Sequence, residues 1–114
     1  MSWNNIIPFD CIEGGVHKTS PVEAAPEVIL TEWSVVELPN GKRHFIGWNK
    51  IDGEGRVSSA IVSYDKETKI AKTNSGRTYK LLGESGFNRD ASYVWGVWML
   101  INNVTDFRDV SEEY

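Results

Sequence analysis

The alternation of apolar and polar residues predicts a series of short β-strands over residues 28–82. The segment "VILTEWSVVEL" is rich in β-branched residues and ends before Asn40-Gly41, a pair that favours a two-residue hairpin turn, and "RHFIGWN" is the return strand. A second turn, with Gly53 and Gly55, leads into "RVSSAIVSY", and "IAKTN" and "TYKLL" complete the set. We therefore expect an α+β fold built on a five-stranded antiparallel β-meander, either an open twisted sheet or a small SH3-like barrel.

A helical period replaces this alternation after the strands. Apolar side chains recur at i, i+3, i+4 and i+7, which is the spacing of one helical face: Val94, Val97, Trp98 and Ile101. Asp90 or Asn88 is suited to cap the first turn, so the pattern predicts one C-terminal helix over about 91–102, packed on the sheet.

The apolar residues of this helix predict how it packs. A helix that is apolar on most sides is mainly buried, and we expect Trp98 to belong to the core more firmly than Trp95. Gly96 lies in the middle of the helix, where glycine costs about 1 kcal/mol relative to alanine. We expect it to mark the closest contact between the helix and the sheet.

The domain boundary is predicted near residue 28. Residues 1–27 combine an apolar arm, which includes Trp3, Ile6 and Phe9, with a connector rich in proline and glycine. Such an arm can pack on its own domain or on a second subunit, so a homodimer formed through the arm is expected. Residues 28–114 are expected to form a single α+β domain that ends in an acidic C-terminal tail.

Composition and charge narrow the classes of protein. The chain has 114 residues and a net charge of −4, which is distributed as −5 over residues 1–38, +5 over 39–89 and −4 over 90–114. It contains no apolar run long enough to cross a bilayer and no basic residue before its first apolar segment, so neither a membrane nor a secretory signal is expected. The single cysteine, Cys11, fits a reducing compartment, and the predicted location is the cytoplasm.

No group of residues predicts catalysis. Cys11, His17 and His44 are scattered without the spacing of metal ligands, so neither a metal nor another cofactor is expected. Asp52 and Glu54 lie in a turn in water, where the pKa of a carboxyl group is not raised as a general acid requires. The sequence therefore predicts a protein that is not an enzyme.

Nucleic-acid binding is a weaker alternative. Basic and aromatic residues are interleaved on the predicted strands, as in small barrels that bind single strands. The sequence pI of about 5.1 opposes the electrostatic attraction on which such binding depends.

The expected function is contact with another protein. In its most concrete form, the protein is a phage or mobile-element inhibitor of a host defence complex, anti-CRISPR-like or a mimic of nucleic acid; a homo-oligomeric bacterial accessory protein is a further alternative. Interfaces concentrate their energy in a few Trp, Tyr and Arg residues, so the expected contact residues lie on the strands: Trp48, Arg56, Arg77 and Tyr79. A rival site for a basic partner lies at the acidic end: Asp106, Asp109, Glu112 and Glu113.

Overall fold

Seven strands and one α-helix form the part of the chain that the computed structural model describes, residues 28–114. The strands are β1 (Val28–Glu37), β2 (Arg43–Asn49), β3 (Glu54–Val57), β4 (Ile61–Asp65), β5 (Ile70–Thr73), β6 (Thr78–Leu81) and β7 (Arg108–Asp109). The helix α1 spans Arg89–Ile101, and a 3-10 turn follows at Ser111–Glu113. The α+β class is confirmed, whereas the predicted arm with its Cys11 lies outside the described residues.

The sheet is mixed, and its strand order differs from the predicted meander. The order is β3-β2-β1-β6-β5-β4, with β7 paired to β1 as well. Residues 28–30 of β1 run parallel to residues 79–81 of β6, and the remaining neighbours are antiparallel. Two antiparallel three-stranded units therefore meet along one parallel pair. This is possible because β1 is ten residues long and shifts register between Thr31 and Ser34, so its first part pairs with β6 and its last part with β7.

The predicted third strand is divided in two. The segment "RVSSAIVSY" contributes β3 and β4, which pair with different partners and lie at opposite ends of the strand order. Ser58, in the short link between them, is buried and its hydroxyl accepts from the amide of Phe45 at 2.9 Å, which ends the β3 ladder. The sheet is consequently open within the described chain, and the closed barrel is not formed.

The larger core lies on one face of this sheet and includes the C-terminal segment. Its largest side chains are Trp33, Phe45 and Tyr79, each at most 2% exposed. Val110 is 1% exposed within the same cluster, and the ring of Tyr114 lies edge-on to Phe45 with 5.9 Å between centroids. The acidic end is therefore part of the domain: it supplies the edge strand β7 and closes the core.

The smaller core lies between the sheet and α1. Asn88 caps the helix, because its side-chain oxygen accepts from the amide of Ala91 at 2.9 Å. Ala91 and Trp95 are buried against apolar residues of β1 and β2. A Cβ at Gly55 would lie 2.5 Å from the amide nitrogen of Ala91, so the first turn of α1 rests directly on the backbone of β3.

Two expectations about α1 are reversed. Trp95 is only 5% exposed, whereas Trp98 is half-buried and stacks on Trp95 with 5.2 Å between ring centroids. Gly96 does not mark a close contact, because a Cβ at this position would have no neighbour within 4 Å among the described residues. The apolar spacing was compatible with either face, and the contact of Ala91 with Gly55 determines which one turns inward.

Candidate protein-binding surface

The structure brings together two of the four residues predicted on the strands. Arg56 Nε donates to the Tyr79 hydroxyl at 2.9 Å, and its guanidinium carbon lies 5.9 Å from the centre of that ring. Arg56 also pairs with Glu54 at 3.5 Å, and its side chain is 23% exposed. Because Tyr79 is 1% exposed, its ring offers no surface for a base or a protein side chain. This pair connects β3 to the core.

Trp48 and Arg77 lie in different parts of the sheet. Trp48 is half-buried on β2, where it is paired with Thr31 of β1 and Gly55 of β3. Arg77 is half-buried in the turn before β6, and its carbonyl accepts from the amide of Thr73 at 3.1 Å. The predicted quartet is therefore distributed over the core, the middle of the sheet and a turn.

The four acidic residues have separate local roles. Asp106 accepts from the amide of Phe107 at 2.9 Å, and Asp109 accepts from the amide of Ser111 at 2.8 Å. Glu113 pairs with Arg43 at 2.8 Å. Glu112 is exposed and lines, with Asp109, a shallow polar cavity of about 330 Å³.

His44 is buried, and its environment favours the neutral form of the imidazole ring. Its Nδ1 lies 2.9 Å from the Ser58 carbonyl, and its ring contacts Trp98 with 4.8 Å between centroids. Burial lowers the pKa of His44, and the Ser58 carbonyl opposes this effect only in part. Among residues 28–114 there is no group of three His, Cys, Asp or Glu side chains placed to hold a metal ion. The other two residues that the sequence offered, Cys11 and His17, lie outside the described range.

The most exposed apolar surface is the outward face of α1, which we call the α1 face. Its residues lie at positions i, i+4, i+7 and i+8 along the helix: Tyr93, Val97, Leu100 and Ile101. Tyr93 is 74% exposed, Leu100 80% and Ile101 75%. Within the described chain, no helix is long and apolar enough to span a membrane. The α1 face is thus an apolar stripe on a short helix whose opposite side is already packed on the sheet.

A lack of charge distinguishes this surface from the rest of the chain. Residues 91–105 contain no Asp, Glu, Lys or Arg, although 25% of the chain is charged. Surface helices normally carry charge on the side that faces water. This uncharged run is visible in the sequence and indicates the α1 face, but the apolar residues of the helix predicted that it is mainly buried. The sequence interpretation therefore missed these residues as a site.

Comparison with protein-family models, with curated proteins and with solved structures finds no match to this chain. The α1 face is consequently the feature of the described chain from which a function can be proposed.

Proposed function

We propose that this protein is a non-catalytic binding module that acts through protein–protein contact, and that the α1 face is the contact surface. The observation that carries the proposal is the uncharged apolar stripe of Tyr93, Val97, Leu100 and Ile101 on a helix that is otherwise packed. Clustered apolar surface of this kind is characteristic of interaction sites. The partner that fits it is a protein surface with an apolar, uncharged centre, which receives the helix by its i, i+4 and i+7 side chains.

The expected binding energy is concentrated in few side chains. Complete burial of an aliphatic or aromatic side chain stabilises a complex by about 1.5–3 kcal/mol. Tyr93, Leu100 and Ile101 each expose about three quarters of their surface, so most of this gain is still available. Tyrosine is also one of the residue types that dominate interfaces energetically. We therefore expect Tyr93 and Leu100 to be the principal contact residues.

The sites predicted from the sequence support binding less well. The ring of Tyr79 is buried and the guanidinium of Arg56 is already hydrogen-bonded to it, so neither side chain is free for a partner without local rearrangement. Glu113 is paired with Arg43. Five other residues remain predicted contact residues that no observation favours over the α1 face: Trp48, Arg77, Asp106, Asp109 and Glu112.

Two specific functions are proposed, and the structure supports them to different degrees. An inhibitor of a host defence complex, anti-CRISPR-like in its action, is compatible with a small acidic domain that inserts one helix into a groove of its target. A cytoplasmic location is part of that proposal. Binding of single-stranded nucleic acid has less support, because it depends on exposed aromatic rings beside basic side chains and Tyr79 does not provide one.

A matched pair of charge substitutions tests the α1 face. Leu100→Glu places a carboxylate on the α1 face, and Val62→Glu places one at an apolar side chain on β4 that is 62% exposed. Both residues lie mainly in water, so both variants should fold, and thermal melts verify this. A partner recovered from the native host with the wild-type chain is identified by mass spectrometry, purified and titrated calorimetrically against all three proteins.

We expect the Val62→Glu variant to bind as the wild type does and the Leu100→Glu variant to lose at least about tenfold in affinity, which corresponds to about 1.4 kcal/mol. Equal affinities for the three folded proteins would exclude the α1 face as the contact surface. In that case, substitution of Glu112 and Arg77 would test the remaining predicted sites.

A further inference from the structure

We infer that the partner of the α1 face is a second copy of this chain, with two α1 helices packed antiparallel about a two-fold axis near Gly96 and Val97. The inference rests on the proposed function, since it names the partner of the same surface. It differs from a dimer formed through residues 1–27, because the contact residues all belong to α1.

The stripe that would form the contact extends over the full helix. At 100° per residue, five positions lie on the side opposite to the buried Ala91 and Trp95: Arg89, Tyr93, Gly96, Val97 and Leu100. Gly96 and Val97 are in the middle of this stripe. Tyr93 and Leu100 lie on either side of them.

The glycine at position 96 indicates that another helix approaches α1 closely at this point. Glycine is unfavourable inside a helix, and nothing within the described domain approaches this position closely enough to require it. Helices can come nearest to each other where one of them lacks a side chain. The space beside Gly96 therefore fits the backbone or a side chain of another helix that crosses the α1 face.

A two-fold axis at this point produces complementary pairs. In an isologous contact, residue i meets residue j and residue j meets residue i. With the axis between Gly96 and Val97, Gly96 receives the partner's Val97, and Tyr93 packs on the partner's Leu100. Both copies make each contact, so the ring of Tyr93 and the side chain of Leu100 are buried in both protomers.

The distribution of charge allows the α1 faces of two copies to meet without electrostatic repulsion. The chain as a whole carries −4, which opposes self-association, but residues 91–105 contribute no charge. In the antiparallel arrangement Asp90 lies near the partner's Asn103, so no carboxylate meets another one. The last turn of α1 has no basic residue, and Arg89 approaches the carbonyl groups at the end of the partner's helix.

Sedimentation velocity on the full chain tests the inference over a concentration range of about 5–500 μM, which brackets the dissociation constants expected of a small interface. We expect a monomer–dimer equilibrium for the wild type and the same equilibrium for the Val62→Glu variant. Leu100→Glu should remain monomeric throughout. Gly96→Ala should weaken the dimer at least tenfold, because the added methyl group occupies the space of the partner's Val97.

A second readout separates loss of contact from loss of fold. In dilute solution, where the protein is monomeric, Gly96→Ala should raise the melting temperature by a few degrees, since alanine favours the helix. A variant that dissociates more readily and yet melts higher cannot be explained by unfolding. A lower melting temperature would show that Gly96 has a structural role inside the domain and would overturn the inference.

Three further outcomes would also overturn it. The first two are a wild type that stays monomeric over the whole range and a dimer that neither Leu100→Glu nor Gly96→Ala weakens. The third concerns the chain's own N-terminal segment and uses a nitroxide on Cys11, the single cysteine. If that label broadens the amide signals of α1 in the monomer, residues near Cys11 cover the α1 face and a second copy does not.

These results distinguish the inference from the proposed function. A monomeric wild type whose binding to an identified partner is lost in Leu100→Glu contradicts the second copy and retains the α1 face. Unchanged binding of that variant, together with an unaffected dimer, contradicts both.

Discussion

The two sides of α1 have nearly the same composition and different environments. The inward side buries Ala91 and Trp95 against the sheet, and the outward side exposes Tyr93, Leu100 and Ile101. Both sides are apolar, and neither carries charge beyond the first turn of the helix, which contains Arg89 and Asp90. Hydrophobicity by itself therefore does not identify the core side of this helix; the glycine that permits contact, Gly55 on the sheet, does. Substitutions on the two sides should therefore separate a structural side from a binding side.

The largest change in the free energy of unfolding is expected from a substitution on the inward side of α1. Trp95→Ala removes a ring that is 5% exposed and stacks on Trp98, so it should lower the free energy of unfolding by about 3–5 kcal/mol. Leu100→Ala, on the outward side, should change it by no more than about 0.5 kcal/mol. Urea denaturation of the two variants measures both values. Similar losses would mean that the outward side is also part of the folded core.

Gly55→Ala should have the next largest effect. The new Cβ would meet the backbone of Ala91 at 2.5 Å, which forces α1 away from β3 and is expected to cost about 1–3 kcal/mol. Gly86→Ala is the matched control, because a Cβ there would have its nearest contact at 3.7 Å. Thermal melts compare the two variants. If both melt like the wild type, the close contact between β3 and α1 does not position the helix.

A smaller, pH-dependent effect on stability is expected from His44, whose ring contacts Trp98 of α1. Burial lowers its pKa in the folded state relative to the ordinary value of 6.5, so the unfolded state binds a proton more readily. The contribution of neutral His44 to stability is complete above pH 6.5 and is lost as the pH falls through that value toward the lowered pKa. Urea midpoints between pH 7.5 and pH 5 should therefore decrease. His44→Gln should reduce the slope, and an unchanged slope would assign the pH dependence to other groups.

The smallest effect on stability has the opposite sign. Gly96→Ala should raise the free energy of unfolding of the monomer by about 0.5–1 kcal/mol, because this position has open space and the substitution favours the helix. Calorimetry of a dilute sample measures the change. A decrease would show that the outward side packs against something within the same chain.

The sequence predicted local structure better than arrangement. The hairpin turns at Gly41 and Gly53 are present with positive φ values, and the helix begins after Asn88, one of the two expected caps, because these features depend on neighbouring residues. The parallel pairing of β1 with β6 joins residues about fifty positions apart, which no local pattern encodes. The division of "RVSSAIVSY" into β3 and β4 depends likewise on a hydrogen bond from Phe45 to Ser58.

The candidate site was missed for a related reason. Apolar residues at helical spacing predict a buried side, and α1 has them on both sides, so the sequence predicted a helix that is mainly buried. Exposure of Leu100 follows only from the position of the sheet. The predicted contact residue Tyr79, by contrast, was chosen by residue type, and its place in the centre of β6 buries it.

The central claim is that the outward side of α1 forms contacts between molecules. The most direct test is a dilution series of ¹H–¹⁵N correlation spectra on the full chain, from about 500 μM to 10 μM, a range chosen for a weak interface. We predict that the amide signals of Tyr93, Gly96, Val97 and Leu100 shift with concentration, while those of β4 and β5 do not. Concentration-independent signals along α1, or shifts confined to another part of the molecule, would contradict contact between two copies through the α1 face.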